Sequence, residues 1–91
     1  MKYELYSNLS LALFYRGAIT GDLNRGANSG IPVGYYTIDS GKAVSNLPDG
    51  VSWCTFIQFW SYDMQMIISS CIYTRKYTGN PISWSNWTKI S

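Results

Sequence analysis

The 91-residue chain contains no histidine. Without an imidazole there is no Ser–His–Asp or Cys–His nucleophile, no histidine base and no histidine ligand for a metal. Cysteine is nearly missing as well: Cys54 and Cys71 are too few for a disulfide-rich scaffold and are not spaced as a CxxC pair. Each lies in an apolar, strand-like run, which favours buried free thiols and leaves a single bridge between them open. Charge is scarce, at 13% of residues against a usual share of about 25%. Seven Lys and Arg against five Asp and Glu leave a net charge of +2. With no basic block anywhere, a nucleic-acid binder of the usual kind is excluded.

Long hydrophobic runs are missing too. Leu9 to Phe14 comes nearest, but Ser10 breaks it and Arg16-Gly17 stops it, far short of the ~18 apolar residues of a membrane span. The opening Met1-Lys2-Tyr3-Glu4, followed by Tyr6, Ser7 and Asn8, does not read as a signal peptide. A soluble protein made in a reducing cytoplasm, without membrane insertion, is therefore expected. The acids are Glu4, Asp22, Asp39, Asp49 and Asp63. None is embedded in an apolar strand, where a raised pKa would mark a general acid, so no catalytic residue, metal or cofactor is expected.

What the chain does have is apolar and aromatic: 46% hydrophobic and 16% aromatic residues, which excludes disorder. The length allows a single domain whose core is marginal unless another surface helps to cover it. Leu5, Leu9 and Leu13 fall at i, i+4 and i+8. They predict a short helix over 3–14, with a strand as the alternative because Leu9, Leu11 and Leu13 also alternate. Such a stripe needs a partner surface, and a second copy of the chain would supply one.

From Tyr15 onward the pattern is β. Turn signals stand at Gly21-Asp22, Gly26 to Pro32, Asp39-Ser40-Gly41, Pro48-Asp49-Gly50, Tyr62-Asp63, Ser69-Ser70 and Thr78-Gly79-Asn80-Pro81. Between them lie runs of β-branched and aromatic residues at 34–38, 51–60, 64–68, 71–77 and 82–90. The expected fold is mainly β: a small antiparallel meander or sandwich over 15–91, preceded by an N-terminal helix or shaft segment over 1–14. In the run from Trp53 to Trp60, the Trp53, Thr55, Ile57 and Phe59 face is apolar but for Thr55. The opposite face carries Cys54, Phe56, Gln58 and Trp60. One face should be buried and the other half covered. Pairing across the next turn puts Cys54 opposite roughly Ser70, near Cys71.

Short signatures follow one another in order: Tyr15-Arg16-Gly17-Ala18-Ile19-Thr20, Asp22-Leu23-Asn24, Gly34-Tyr35-Tyr36-Thr37-Ile38, and Asn46-Leu47-Pro48-Asp49-Gly50. Gln65, Ile72-Tyr73-Thr74-Arg75 and Trp84-Ser85-Asn86-Trp87-Thr88-Lys89-Ile90 complete the series. Across residues 15–90 this order resembles the knob domain at the ends of tailed-phage fibres and pyocin-like tail particles. Two surface loops depart from that pattern. Arg25 to Val33 is longer and richer in glycine, and Ser69-Ser70 is tighter, which bears on loop shape and ligand preference rather than on fold.

The resemblance implies a homotrimeric, receptor-binding knob of a virion tail fibre, made in the bacterial cytoplasm. Such a knob adheres without chemistry to a bacterial surface glycan: a polysaccharide, a teichoic acid or a lipopolysaccharide sugar. The alternative is a structural module that trimerises or caps the fibre while receptor binding is done elsewhere. The framework positions implied are Asp22, Leu23, Asn24, Tyr36, Asn46, Pro48, Gly50, Gln65, Tyr73, Arg75, Trp84 and Trp87.

Physical reading assigns several of these a structural task. Asp22 and Asn24 can accept from nearby backbone while Leu23 enters the core, and Pro48-Asp49-Gly50 specifies a turn that Asn46 ties down. Arg75 shares a strand face with Tyr73; it either stacks on an aromatic ring or pairs with an acid, or else contacts a receptor anion. Trp84 and Trp87 stand three apart, so one is expected in the core and the other partly exposed unless a bulge intervenes. The candidate ligand contacts are Trp60, Tyr62 and Asp63 at one hairpin tip and Lys76, Tyr77 and Asn80 at another loop. Rings beside short polar side chains suit sugars, whose C–H faces stack while their hydroxyls hydrogen-bond.

Overall fold

A computed structural model describes residues 14–40, 43–59 and 64–90. The N-terminal segment before Phe14, and the hairpin tip with Trp60, Tyr62 and Asp63, lie outside the described residues. The chain is mainly β. Its strands are β1 (Tyr15–Ala18), β2 (Gly21–Asp22), β3 (Gly34–Ile38), β4 (Val44–Ser45), β5 (Cys54–Gln58), β6 (Met64–Ile68), β7 (Ile72–Thr78), β8 (Ser83–Trp84) and β9 (Thr88–Lys89). A 3₁₀ helix over Leu23–Ser29 is the helical element among the described residues.

The main sheet has the order β1-β3-β5-β6-β7-β8, with β9 also pairing β7. From β3 to β7 it is an antiparallel meander, in register along Tyr36↔Phe56, Phe56↔Ile67 and Ile67↔Tyr73. The all-antiparallel expectation fails at two pairings: β1 runs parallel to β3, and β2 parallel to β4. The cause is the long connection over 19–33. It contains β2 and the 3₁₀ helix, and it carries the chain back so that β3 enters in the direction of β1, as a parallel pair requires. The predicted loop over Arg25 to Val33 is largely that helix.

Strand alternation then decides burial. Gly34, Tyr36 and Ile38 on β3, Phe56 and Gln58 on β5, Gln65 and Ile67 on β6 and Arg75 on β7 are buried and share one face of the sheet. The connecting segments close over this face with Ile19, Leu23, Ile31 and Val44, and Tyr36 and Phe56 stack with ring centroids 5.9 Å apart. In the 3₁₀ helix Leu23, Gly26 and Ala27 point inward, the i, i+3 spacing that such a helix aligns. Central strand β5 is enclosed on one side and half covered on the other. The enclosed side is the one that carries Gln58, not the more apolar Thr55 and Ile57 side. Cys54 and Cys71 are half-buried free thiols.

Leu23 is fully buried where the 3₁₀ helix meets the sheet. Leu23→Ala should destabilise the chain by about 2–5 kcal/mol, a large share of the roughly 5–15 kcal/mol that holds a domain folded. Urea denaturation monitored by tryptophan fluorescence checks this. Burial pushes the Cys54 thiol up to about 11, so at pH 8 roughly one thiol in a thousand is the reactive thiolate. Mass spectrometry should show iodoacetamide labelling Cys54 far more slowly in the folded chain than in urea.

Candidate functional site

The ordered signatures converge on one buried cation. Arg75 stands in β7 on the core face, 5% exposed, among groups that leave little water to solvate it. Its Nε donates to Gln65 Oε1 at 2.8 Å. Its guanidinium carbon lies 4.4 Å from the Trp84 ring centroid and 4.7 Å from that of Trp87. Desolvated cation–π contacts of this kind reach about 2 kcal/mol. Burial pulls the guanidinium down to about 10, and the Asp22 carboxylate acts in the opposite sense, so Arg75 stays charged at neutral pH. Of its two expected structural roles, the aromatic stack is the one it takes.

Each partner of Arg75 anchors another segment. Gln65 Nε2 donates to Gln58 Oε1 at 2.9 Å and to the Leu23 carbonyl at 2.7 Å, joining two strands of the meander to the 3₁₀ helix. Trp84 Nε1 donates to the Asn24 carbonyl at 2.9 Å, and Trp87 Nε1 to the Asn46 carbonyl at 2.7 Å. Asp22 Oδ1 accepts from Asn24 N at 2.8 Å and from Asn46 Nδ2 at 2.6 Å. Those two bonds, led by the backbone one, hold the Asp22 carboxyl below its ordinary value, with desolvation opposing and Arg75 and Arg25 adding a smaller attraction. Asn46 adopts φ 69°, the left-handed conformation that asparagine tolerates better than most residues.

Both tryptophans therefore face the same cation, and neither is a free surface ring. Residues 85–87 leave strand geometry between β8 and β9 and bring the second indole round, so both half-buried rings reach Arg75, and Trp87 also packs against the core cluster. Gly26 fits only as glycine, because a Cβ there would overlap the Gln58 and Gln65 amides. Gln58 escaped notice as a framework residue. The available signal was its mirror placement with Gln65 about the hairpin turn, where the two prove to be direct cross-strand partners.

Two open concavities border this assembly. The first, about 450 Å³, is lined by Asn46, Asp49, Tyr73, Arg75, Asn86, Trp87 and Lys89 with the Leu47–Pro48 turn. The second, about 500 Å³, is lined by Asn24, Arg25, Tyr77, Ile82 and Trp84, with Ala27 and Ser83. Tyr77 packs on Trp84 with centroids 5.2 Å apart, so of the candidate contacts on that loop it is the one placed in a concavity. Lys76 and Asn80 are exposed and line neither. Trp60, Tyr62 and Asp63 lie outside the described residues. Among the described residues no group of three or more His, Cys, Asp or Glu comes together. Comparison of the chain with family models, curated proteins and solved structures returns no match.

Gly26→Ala should lower the melting temperature by several degrees, by forcing apart the Gln58–Gln65 amides, and differential scanning calorimetry reads the shift. The Asp22 carboxyl is held below 3.8 in the folded chain. Its stabilisation is therefore present above that value and lost as pH falls through the folded one. Urea midpoints measured between pH 2 and 6 should fall less steeply on the acid side for Asp22→Asn than for the parent chain.

Proposed function

We propose that this chain is a non-catalytic binding module, the distal knob of a tailed-phage or prophage tail fibre, adhering to a bacterial surface glycan. The ordered signatures over residues 15–90 motivate the family. The observation that carries the binding reading is the pair of open concavities, one fronted by Trp87 and the other by Trp84. Each combines an indole and a phenol ring with at least one asparagine amide and at least one cationic side chain, the mixture that grips a sugar by its C–H face and its hydroxyls. In the second concavity the Trp84 indole is held by Arg75 and its bond to Asn24, with Tyr77 packed on it, so little side-chain entropy is lost on binding there. Individual sugar contacts are weak, and several knobs acting together raise the affinity of the particle.

The alternative, a module that trimerises or caps the fibre, draws on a different observation. Away from the core, the meander presents Tyr35, Thr37, Thr55, Ile57, Met64, Met66, Ile68, Ile72 and Thr74, with Lys76 as the charge among these strand positions. A face so poor in charge suits burial against copies of the chain, and the homotrimer belongs to both readings.

A bacterial glycan array should retain the folded chain on a subset of saccharides, and Tyr77→Ala should cut the signal by about threefold to tenfold by removing one stacking ring. A folded chain that captures no saccharide sinks the adhesion reading and leaves the capping one. Sedimentation at micromolar concentration should give the mass of three chains, shifting toward one chain in the Ile57→Lys, Met66→Lys double variant; a stable monomer of the parent chain refutes the trimer.

A further inference from the structure

We infer that the concavity between the Asn46–Asp49 turn and β9 is a subsite for an anionic sugar. Its wall is the Trp87 indole, and Arg75 and Lys89 together receive the sugar's oxyanion. The inference rests on the glycan-binding reading above and specifies the charge of the ligand.

The position of the cations follows from strand register. Tyr73 and Arg75 are two apart on β7 and share its core face, and Lys89 on β9 is the direct partner of Tyr73. Directly opposed residues project to the same side of a sheet, so Lys89 joins Tyr73 and Arg75 on one side, where all three line the concavity. The charged groups of the lining are those two cations and the Asp49 carboxylate, which leaves one positive charge in excess. The volume of about 450 Å³ lies in the range of small-ligand sites.

The second observation is chemical. Arg75 spends its Nε on Gln65 and its faces on two indoles, but its Nη2 is buried and has no hydrogen-bond partner. A buried cationic N–H without an acceptor is an unmet demand for an oxygen, and an oxyanion meets it better than a neutral group. Because Nη2 is enclosed, the oxyanion reaches it by displacing part of the wall. Trp87, half-buried and stacked on Arg75, is the wall residue in contact with the guanidinium. Asn46 and Asn86 remain at the rim for the hydroxyls. The oxyanion can be the carboxylate of a uronic acid or a phosphodiester between sugars, since both present the same acceptor.

Titration of the full chain, followed by tryptophan fluorescence and calorimetry, tests this with three probes: galacturonate oligomers, a glycerol-phosphate polymer and neutral dextran oligomers. At least one anionic probe should bind about tenfold more tightly than dextran, with the preference shrinking as salt rises. Lys89→Gln should remove most of that preference with an unchanged melting temperature, and Lys89→Arg should keep it. Preference for galacturonate identifies a carboxylate subsite, and preference for the phosphate polymer a phosphodiester one. Dextran binding equal to that of both anionic probes, or an anion preference that survives Lys89→Gln, overturns the anionic subsite while leaving glycan adhesion standing. Binding of none of these probes, nor of any arrayed saccharide, overturns both.

Discussion

The structure depends on keeping one cation comfortable out of water. A guanidinium enclosed as fully as that of Arg75 is strongly disfavoured unless its charge is answered, and the chain answers that charge and the Nε donor with groups from four separate segments, leaving Nη2 unpaired. Gln65 supplies an acceptor, Trp84 and Trp87 supply π faces, and Asp22 supplies a distant negative charge. Each of these is secured by a further bond to Leu23, Asn24 or Asn46. The signatures scattered over residues 22–87 are thus the members of one assembly, spaced by the lengths of the strands and loops that deliver them. An apolar residue at position 75 would leave the Gln65 oxygen bare and two indoles without their common partner.

Sequence patterning recovered the antiparallel centre of the fold, with the bounds of two of its four strands. The runs at 34–38 and 64–68 coincide with β3 and β6, and the signals at Asp39-Ser40, Pro48-Asp49-Gly50 and Ser69-Ser70 fall between strands. Gly21-Asp22, read as a turn, is instead strand β2, and Thr78 is the last residue of β7. That part was legible because each strand is an unbroken run of β-forming residues bounded by residues with local conformational preferences, and β5, β6 and β7 follow one another across short links. The parallel β1–β3 and β2–β4 pairings were not legible. They join segments separated by long connections, and nothing in the two-residue β2 or β4 reads as a strand alone. Counting apolar residues also points to the wrong face of β5. Gln58 is buried despite its polarity because Gln65 satisfies its carbonyl oxygen, a pairing visible only once the register is known.

The candidate site divides in the same way. Asp22 and Leu23 carry out the tasks that their side-chain chemistry suggested, since an Asx turn and a core plug are local devices, whereas the Asn46 amide bonds Asp22 in a distant segment instead of its own turn. The joint service of Trp84 and Trp87 to Arg75 is hidden from strand periodicity, because residues 85–87 break the alternation on which that periodicity rests. Asn86 and Lys89, which line the Trp87 concavity, stand in the closing signature but draw no notice beside two tryptophans. Framework and surface are consequently not separate sets: the indoles that pack on the buried cation also front the two openings.

The bonds from Trp84 to Asn24 and from Trp87 to Asn46 span 60 and 41 residues of chain. Closing loops of that length costs entropy before any contact is gained, which places such contacts among the later events of folding. The meander, whose strands are joined by shorter connections, costs less to close. Order of assembly then has a biological reading. While the chain emerges from the ribosome, β3 to β6 can collect before residues 84–89 exist, but neither concavity has its tryptophan wall until those residues fold back. Residues 84–87, far along the chain from the segments they close on, are thus the ones that complete both concavities.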